Sequence, residues 1–182
     1  MAGKRKAYHA LTEKGAESLR LSTEALRGVA DQFLDWTPVF APYDERSIID
    51  GFCIDKKTKE VVGMFEAKTR FHTVEEFKTR FHNKWLLSHD KIYRARVMTE
   101  WLHLPFWAFL YMAPSKIAAV ARVWNADNGT EVRHNVAQAT TSKNIKKVEE
   151  KVTDCCLFQL EDFDFYDLTD FASDMQIRPA RH

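Results

Sequence analysis

The chain has 182 residues, 45% of them hydrophobic and 29% charged, with a net charge of +1 and three cysteines. That is ordinary for one soluble domain with a sizeable core, and it argues against a wholesale basic protein. Cys53, Cys155 and Cys156 give neither an even disulfide framework nor Cys-x-x-Cys zinc spacing, which predicts free thiols, with Cys53 in a core strand, and a cytoplasmic setting.

The start, Met1-Ala-Gly-Lys-Arg-Lys6, is basic with no apolar core behind it, so no secretory leader is expected. Residues 10–34 predict an amphipathic helix, with Leu19, Leu26, Ala30 and Phe33 in one stripe and Glu13, Glu17 and Glu24 on the far, solvated face. Residues 35–46 carry two prolines and predict a connection with a short edge strand.

Residues 47–69 hold the most informative pattern. Ser47-Ile-Ile-Asp50-Gly-Phe-Cys-Ile-Asp55 and Glu60-Val-Val-Gly-Met-Phe-Glu66-Ala-Lys68 are two strand-like runs joined by Lys56-Lys-Thr-Lys59. Side chains alternate along a strand, so Ile48, Asp50, Phe52 and Ile54 share one face, as do Val62, Met64, Glu66 and Lys68. If Lys56 pairs with Glu60, Asp50 lies opposite Glu66 and both extend an apolar row; a slip of one residue would separate them. Two carboxylates so placed repel unless a cation lies between them. Mg²⁺ suits them, because it takes oxygen ligands, and a lysine on the same face is placed to orient or deprotonate an attacking water. Glu-x-Lys is a cheap pattern and recurs at Glu76-Phe-Lys78 and Glu149-Glu-Lys151, both in helix-like charged runs. The bland alternative for 47–69 is a structural hairpin with an exposed ion pair.

Thr73-Val-Glu-Glu76 is a capping-box signature opening a helix whose apolar side is Phe77, Phe81 and Trp85. A second helix is expected from near Ser88 to His103, with Ile92, Ala95, Met98 and Leu102 inward. Residues 104–112 and 116–124 predict two strands. The apolar run 104–113 is too short to cross a membrane, and no membrane partner is expected. Asp127-Asn-Gly129 signals a hairpin turn, 131–139 a strand pairing back, and 142–153 a short charged helix. Glu161-Asp-Phe-Asp-Phe-Tyr-Asp167 predicts a last edge strand with acids outward, or an acidic flap competing with DNA for the basic segment. Trp101, Phe106, Trp107 and Phe109 are expected in the core. No Gly-x-x-x-x-Gly-Lys-Ser/Thr loop, Gly-x-Ser-x-Gly elbow or histidine cluster is present to suggest other chemistry.

The arrangement Asp50…Glu66-Ala-Lys68, on adjacent strands after an N-terminal helix and before a long basic helix, resembles the PD-(D/E)XK nuclease superfamily over about residues 10–125. Ile49 stands where many members have proline. The resemblance implies an α/β domain with a restriction-endonuclease-like core, a mixed central sheet flanked by helices. It implies Asp50 and Glu66 as metal ligands, the Ala67 carbonyl as a further ligand, and Lys68 as the catalytic lysine, with Mg²⁺ or Mn²⁺ as cofactor. Glu17 or Glu24 is a candidate supporting ligand by rough position, and Lys91 a residue pointing back to the site.

Lys68, Arg70, Lys78, Arg80, Lys84, Lys91, Arg94 and Arg96 crowd into one segment, where positive charge would attract a phosphate backbone. Arg70, Lys84, Lys91 and Arg94 are the candidate nucleic-acid contacts. The expectation is therefore one domain over 1–182, with a C-terminal hairpin, helix and acidic tail over 126–182. Its expected activity is metal-dependent hydrolysis of DNA phosphodiesters in processing, recombination or repair, in a bacterium or phage-infected cell, as a homodimer. A non-catalytic nucleic-acid-binding module and a protein-interaction domain are the competing classes.

Overall fold

The computed structural model describes residues 13–42, 47–142 and 150–170. In chain order the elements are α1 (Glu13–Phe33), β1 (Trp36–Phe40), β2 (Gly51–Asp55), β3 (Val61–Arg70), α2 (Val74–Arg80), β4 (Lys84–Ser88), α3 (His89–Leu102) and β5 (Phe106–Met112). Then come β6 (Ile117–Asn125), β7 (Gly129–Thr130), β8 (His134–Ser142), β9 (Glu150–Gln159) and β10 (Asp164–Asp167). The main sheet has the order β1-β2-β3-β5-β6-β10 with β7 added on β6, and a second sheet has the order β4-β9-β8. β3 and β5 run parallel while the other pairs are antiparallel, so this is an α/β fold with a mixed central sheet flanked by helices.

The two faces of the main sheet bury different layers. α1 lays Leu26, Val29 and Ala30 on Cys53, Phe65, Ala67 and Phe109. The opposite face presents Met64, Ala108, Leu110 and Met112 to Ile92 and Ala95 of α3 and to Trp85, Leu87, Cys156 and Phe158 of the second sheet. Alternation along β3 therefore sends Phe65 and Ala67 toward α1, and Met64, Glu66 and Lys68 toward α3.

Several expectations are corrected. α2 stops at Arg80 because His82 and Asn83 adopt left-handed φ angles of 50° and 59°, so Trp85 lies on strand β4 rather than on the helix. Both ends of the charged helix expected over 142–153 are strand instead: Ser142 ends β8 and Glu150 opens β9, while 143–149 lie outside the described residues. Burying Cys155, Cys156 and Phe158 in a strand paired to β4 outweighs the helical preference of Glu150 and Lys151, at the start of the same strand. The hairpin at Asp127-Asn-Gly129 forms, with Gly129 at φ 74°, but only Gly129–Thr130 pairs back on β6, and β8 joins the second sheet beside β9. Phe33 and Leu102, expected inward, are exposed, whereas Thr99 is buried. Trp101, expected in the core, is 82% exposed.

The acidic segment is an edge strand. β10 pairs with β6 at the far side of the sheet from β2, and Phe163 packs on Trp85 with ring centroids 5.7 Å apart. Residues 171–182, the rest of the expected acidic tail, lie outside the described residues. Among the described residues no helix is long and apolar enough to cross a membrane.

Candidate functional site

The hairpin brings Asp50 and Glu66 together by a route slightly different from the expected one. The Asp55 carboxylate accepts from the Lys57 and Thr58 amides at 2.7 and 2.7 Å, starting the turn one residue early, and Lys59 takes φ 65° to close it. Asp55, not Lys56, faces Glu60, its amide donating to the Glu60 carbonyl at 2.9 Å. A bulge between Cys53 and Ile54 absorbs the difference, so Cys53 pairs with Gly63, Phe52 with Met64 and Gly51 with Phe65. The bulge also turns Val62 to the α1 layer, away from the Met64 face on which strict alternation put it. Beyond it the register is the expected one, and the Asp50 amide donates to the Phe65 carbonyl at 2.9 Å.

Gly51 is required beside Asp50. A Cβ there would lie 2.2 Å from the Val39 carbonyl oxygen and 2.5 Å from the Phe65 ring. The absence of a side chain lets β1 and Phe65 close over this end of the hairpin.

Four side chains meet at this point. Asp50 Oδ2 accepts from the Ala67 amide at 3.0 Å and from Lys68 Nζ at 3.0 Å. Glu66 Oε1 lies 2.6 Å from Lys68 Nζ as an ion pair, but without hydrogen-bond geometry, so this buried oxygen is otherwise unsatisfied. The Ala67 carbonyl accepts from the same ammonium at 3.2 Å. Lys91, in the first turn of α3, reaches across to Glu66 Oε2 at 2.9 Å and lies 3.5 Å from Asp50 Oδ1. Glu66 is 1% exposed, whereas the Asp50, Lys68 and Lys91 side chains keep an opening to solvent.

Burial by itself would raise the Asp50 carboxyl, but the Lys68 and Lys91 charges and the Ala67 amide outweigh it and hold the carboxyl below its usual range. Burial likewise works against the Lys68 ammonium, and the Glu66 and Asp50 carboxylates more than compensate, raising its pKa. Two acids and two lysines leave the group neutral overall.

Of the expected site residues, the structure joins Asp50, Glu66, Ala67, Lys68 and Lys91. Arg70 follows on the same strand, close enough for Glu66 to bear on its charge, while its guanidinium donates to the Thr69 carbonyl at 3.1 Å. The others lie elsewhere. Glu17 and Glu24 are on α1, across the sheet from the Glu66 face, and both pair with Arg20 at 2.8 and 2.7 Å. Arg94 pairs with Asp90 at 3.0 Å on the exposed side of α3. Lys84 opens β4 in the second sheet. Glu76, of the second Glu-x-Lys, closes the capping box: its carboxylate accepts from the Thr73 amide at 2.8 Å. Lys151, of the third, lies in a strand.

Sequence reasoning missed an open cleft of about 290 Å³ beside Asp50, bounded by Pro42, Ile48, Ile49, Phe52 and Met98. The only sequence signal for it is Met98 in register with Lys91 on α3.

Among the described residues no three His, Cys, Asp or Glu side chains gather round one point. The oxygens that do gather are two carboxylates and a backbone carbonyl, with an ammonium as their cation. This donor set fits Mg²⁺ or Mn²⁺, which are held by carboxylate and carbonyl oxygen. Searches of protein-family models, curated proteins and solved structures found no significant match to this chain.

Proposed function

We propose that this protein is a metal-dependent nuclease hydrolysing DNA phosphodiesters, with Asp50, Glu66 and Lys68 as its catalytic group. The observation that carries the reading is the convergence of Asp50 Oδ2, Glu66 Oε1 and the Ala67 carbonyl on one cation, the Lys68 ammonium, at 3.0, 2.6 and 3.2 Å. The order of parts supports the resemblance to PD-(D/E)XK nucleases: a helix, two adjacent strands bearing the acids and lysine, then α3 with its basic residues.

Asp50, Glu66 and the Ala67 carbonyl would hold Mg²⁺ or Mn²⁺, which when bound supplies a water of lowered pKa and offsets charge on the phosphoryl oxygens. Lys91, bonded to Glu66 Oε2, fixes the orientation of that carboxylate. Lys68 holds the same oxygens, so binding of the ion there would release its ammonium. The carboxylates that raise the Lys68 pKa in the metal-free group are the ones the ion would take, which would leave the lysine on the same face, placed to orient or deprotonate the attacking water. Hydrolysis joins the water oxygen to phosphorus and breaks one P–O ester bond, leaving a phosphate monoester and a hydroxyl. Arg70 and Lys91 supply positive charge for the phosphate backbone.

The finer assignment, to DNA processing, recombination or repair of phage type, rests on analogy. The three unpaired, buried cysteines fit a cytoplasmic setting, and a homodimer would suit a two-fold symmetric substrate.

One observation favours a second reading, a non-catalytic nucleic-acid-binding module: Lys68 and Lys91 already neutralise both carboxylates, so the group is self-sufficient as a structural cluster. A cleavage panel of supercoiled plasmid, linear duplex, single strand and four-way junction separates the two. Wild type is run beside Lys68→Ala and Glu66→Ala with Mg²⁺, Mn²⁺ or EDTA. Metal-dependent cutting lost in both variants is the expected result. Absence of cutting, with DNA binding intact in the variants, would establish the second reading.

A further inference from the structure

One edge of α3 presents Lys91, Arg94, Met98 and Trp101 at spacings that place them in a single row along the helix. The row begins in the catalytic group, where Lys91 Nζ bonds Glu66 at 2.9 Å. It ends ten residues on, about 15 Å along the helix axis, at the exposed indole of Trp101. Between them Met98 forms one wall of the open cleft, whose other wall is Ile48, Ile49 and Phe52. Ile49 precedes Asp50 directly, and Phe52 shares its strand face, so the cleft and the carboxylate group have a wall in common. Arg94, within the row, makes an exposed ion pair with Asp90, a type of contact that exchanges partners at little cost.

We propose that this row and cleft bind an unpaired strand of DNA leading to the catalytic group, so that the substrate is a single-stranded or frayed segment rather than continuous duplex. The inference rests on the nuclease reading for where the scissile phosphate lies. A phosphate at Lys91 carries a base beside it, and the apolar cleft against Met98 and Phe52 takes that base. The indole of Trp101 stacks the base that follows, and Arg94, between Lys91 and Met98 in the row, meets the backbone on the Lys91 side of the cleft. A base inside duplex has both faces covered by its neighbours and reaches neither surface without being extruded. Two basic side chains followed by an apolar cleft and an exposed indole suit a flexible single strand, in which each base has a free face.

The test is fluorescence anisotropy at fixed salt in EDTA, with a labelled single-stranded oligonucleotide and its blunt duplex. Wild type is compared with Trp101→Ala, Trp101→Phe and Ile48→Glu; both sites are solvent-exposed, at 82% and 39%, so the variants retain the fold. The wild type is expected to prefer the single strand. Trp101→Ala is expected to weaken single-strand binding about tenfold, with duplex binding little changed, and Trp101→Phe to keep most of the affinity. Ile48→Glu places a carboxylate in the cleft and is expected to weaken the single strand similarly. Wild-type affinity in both Trp101→Ala and Ile48→Glu overturns the inference, as does a preference for duplex. So does a change in self-association in Trp101→Ala with DNA binding unaltered, which would give the row to a second copy of the chain. Trp101-dependent strand binding without metal-dependent cutting leaves the strand path standing and removes the nuclease reading. Lys68-dependent cutting with unaltered binding in these variants does the reverse.

Discussion

Glu66-Ala-Lys68 and Glu76-Phe-Lys78 are the same three-residue pattern, and they end in opposite surroundings. On β3 a spacing of two puts both side chains on one face, and Glu66 is 1% exposed with Lys68 Nζ 2.6 Å away. On α2 the same spacing turns the pair to different sides, and Glu76, 36% exposed, pairs with Arg80 and the Thr73 amide instead. The charges are equal in kind. The strand places one set at the end of a buried row, where Asp50 and Lys91 can close on it; the helix leaves the other as a cap at the surface.

The largest expected difference between the two patterns is in activity. Glu66→Gln should lower metal-dependent cleavage by at least about a hundredfold, while Glu76→Gln should leave the rate within a factor of about two and only reduce the unfolding midpoint slightly, since the glutamine oxygen still accepts from the Thr73 amide and the ion pair lost, to Arg80, is exposed. Equal cleavage rates in the two variants would remove Glu66 from the chemistry.

Lys68→Met should separate binding from turnover. The ammonium now held by the three oxygens is a competitor for a divalent ion, so its removal should tighten Mn²⁺ binding about tenfold by calorimetry while cleavage is lost. Weaker Mn²⁺ binding in Lys68→Met would mean that the ammonium and the ion do not share a site. Lys78→Met should change neither quantity.

Gly51→Ala should cost about 1–3 kcal/mol of stability in chemical denaturation, because the new methyl group meets the Val39 carbonyl and the Phe65 ring. A smaller loss would show that this end of the hairpin relaxes easily.

The smallest effect is the pH dependence of the metal-free protein. Asp50 has a lowered pKa in the folded state, so its contribution is present above the unfolded value, near 3.9, and is lost as pH falls through the folded value below that. Lys68 has a raised pKa, so its contribution is complete below about 10.4 and fades only as pH rises through a still higher folded value. The stability difference between wild type and Asp50→Asn should therefore be level from about pH 5 to 9 and shrink in acid below about pH 4. A difference that shrinks between pH 5 and 7 would contradict the lowered pKa of Asp50.

Much of this was legible in the chain. The turn around Lys56–Lys59, the alternation on either side of it and the Thr73–Glu76 box were readable, and with them Asp50, Glu66, Lys68 and the starting point of α3. Lys91 was readable as a residue near the site by resemblance, though not its bond to Glu66. The bulge at Cys53/Ile54 was not, because nothing in the local pattern says that Asp55 will start the turn one residue early. Glu17 and Glu24 could be assigned to a solvated face by helical period, and Arg20 between them holds both there. Trp101 was misjudged because an indole at a helix end reads as core when the neighbouring layer is unknown.

Local rules act over a few residues, and they settled the hairpin, the shared face of Glu66 and Lys68 and the cap of α2, while the bulge at Cys53/Ile54 decided the final register beside Asp50. Contacts between distant segments settled the rest. Glu150 and Lys151 became strand as the start of β9, whose other end found in β4, more than sixty positions earlier in the chain, an edge and an apolar layer for Cys156 and Phe158. Lys68 became the cation of an oxygen cage, and Lys91 its counterpart, because the main sheet and α3 pack at one fixed distance. Burial of Glu66 then removed the water that would otherwise have screened its charge from the two lysines.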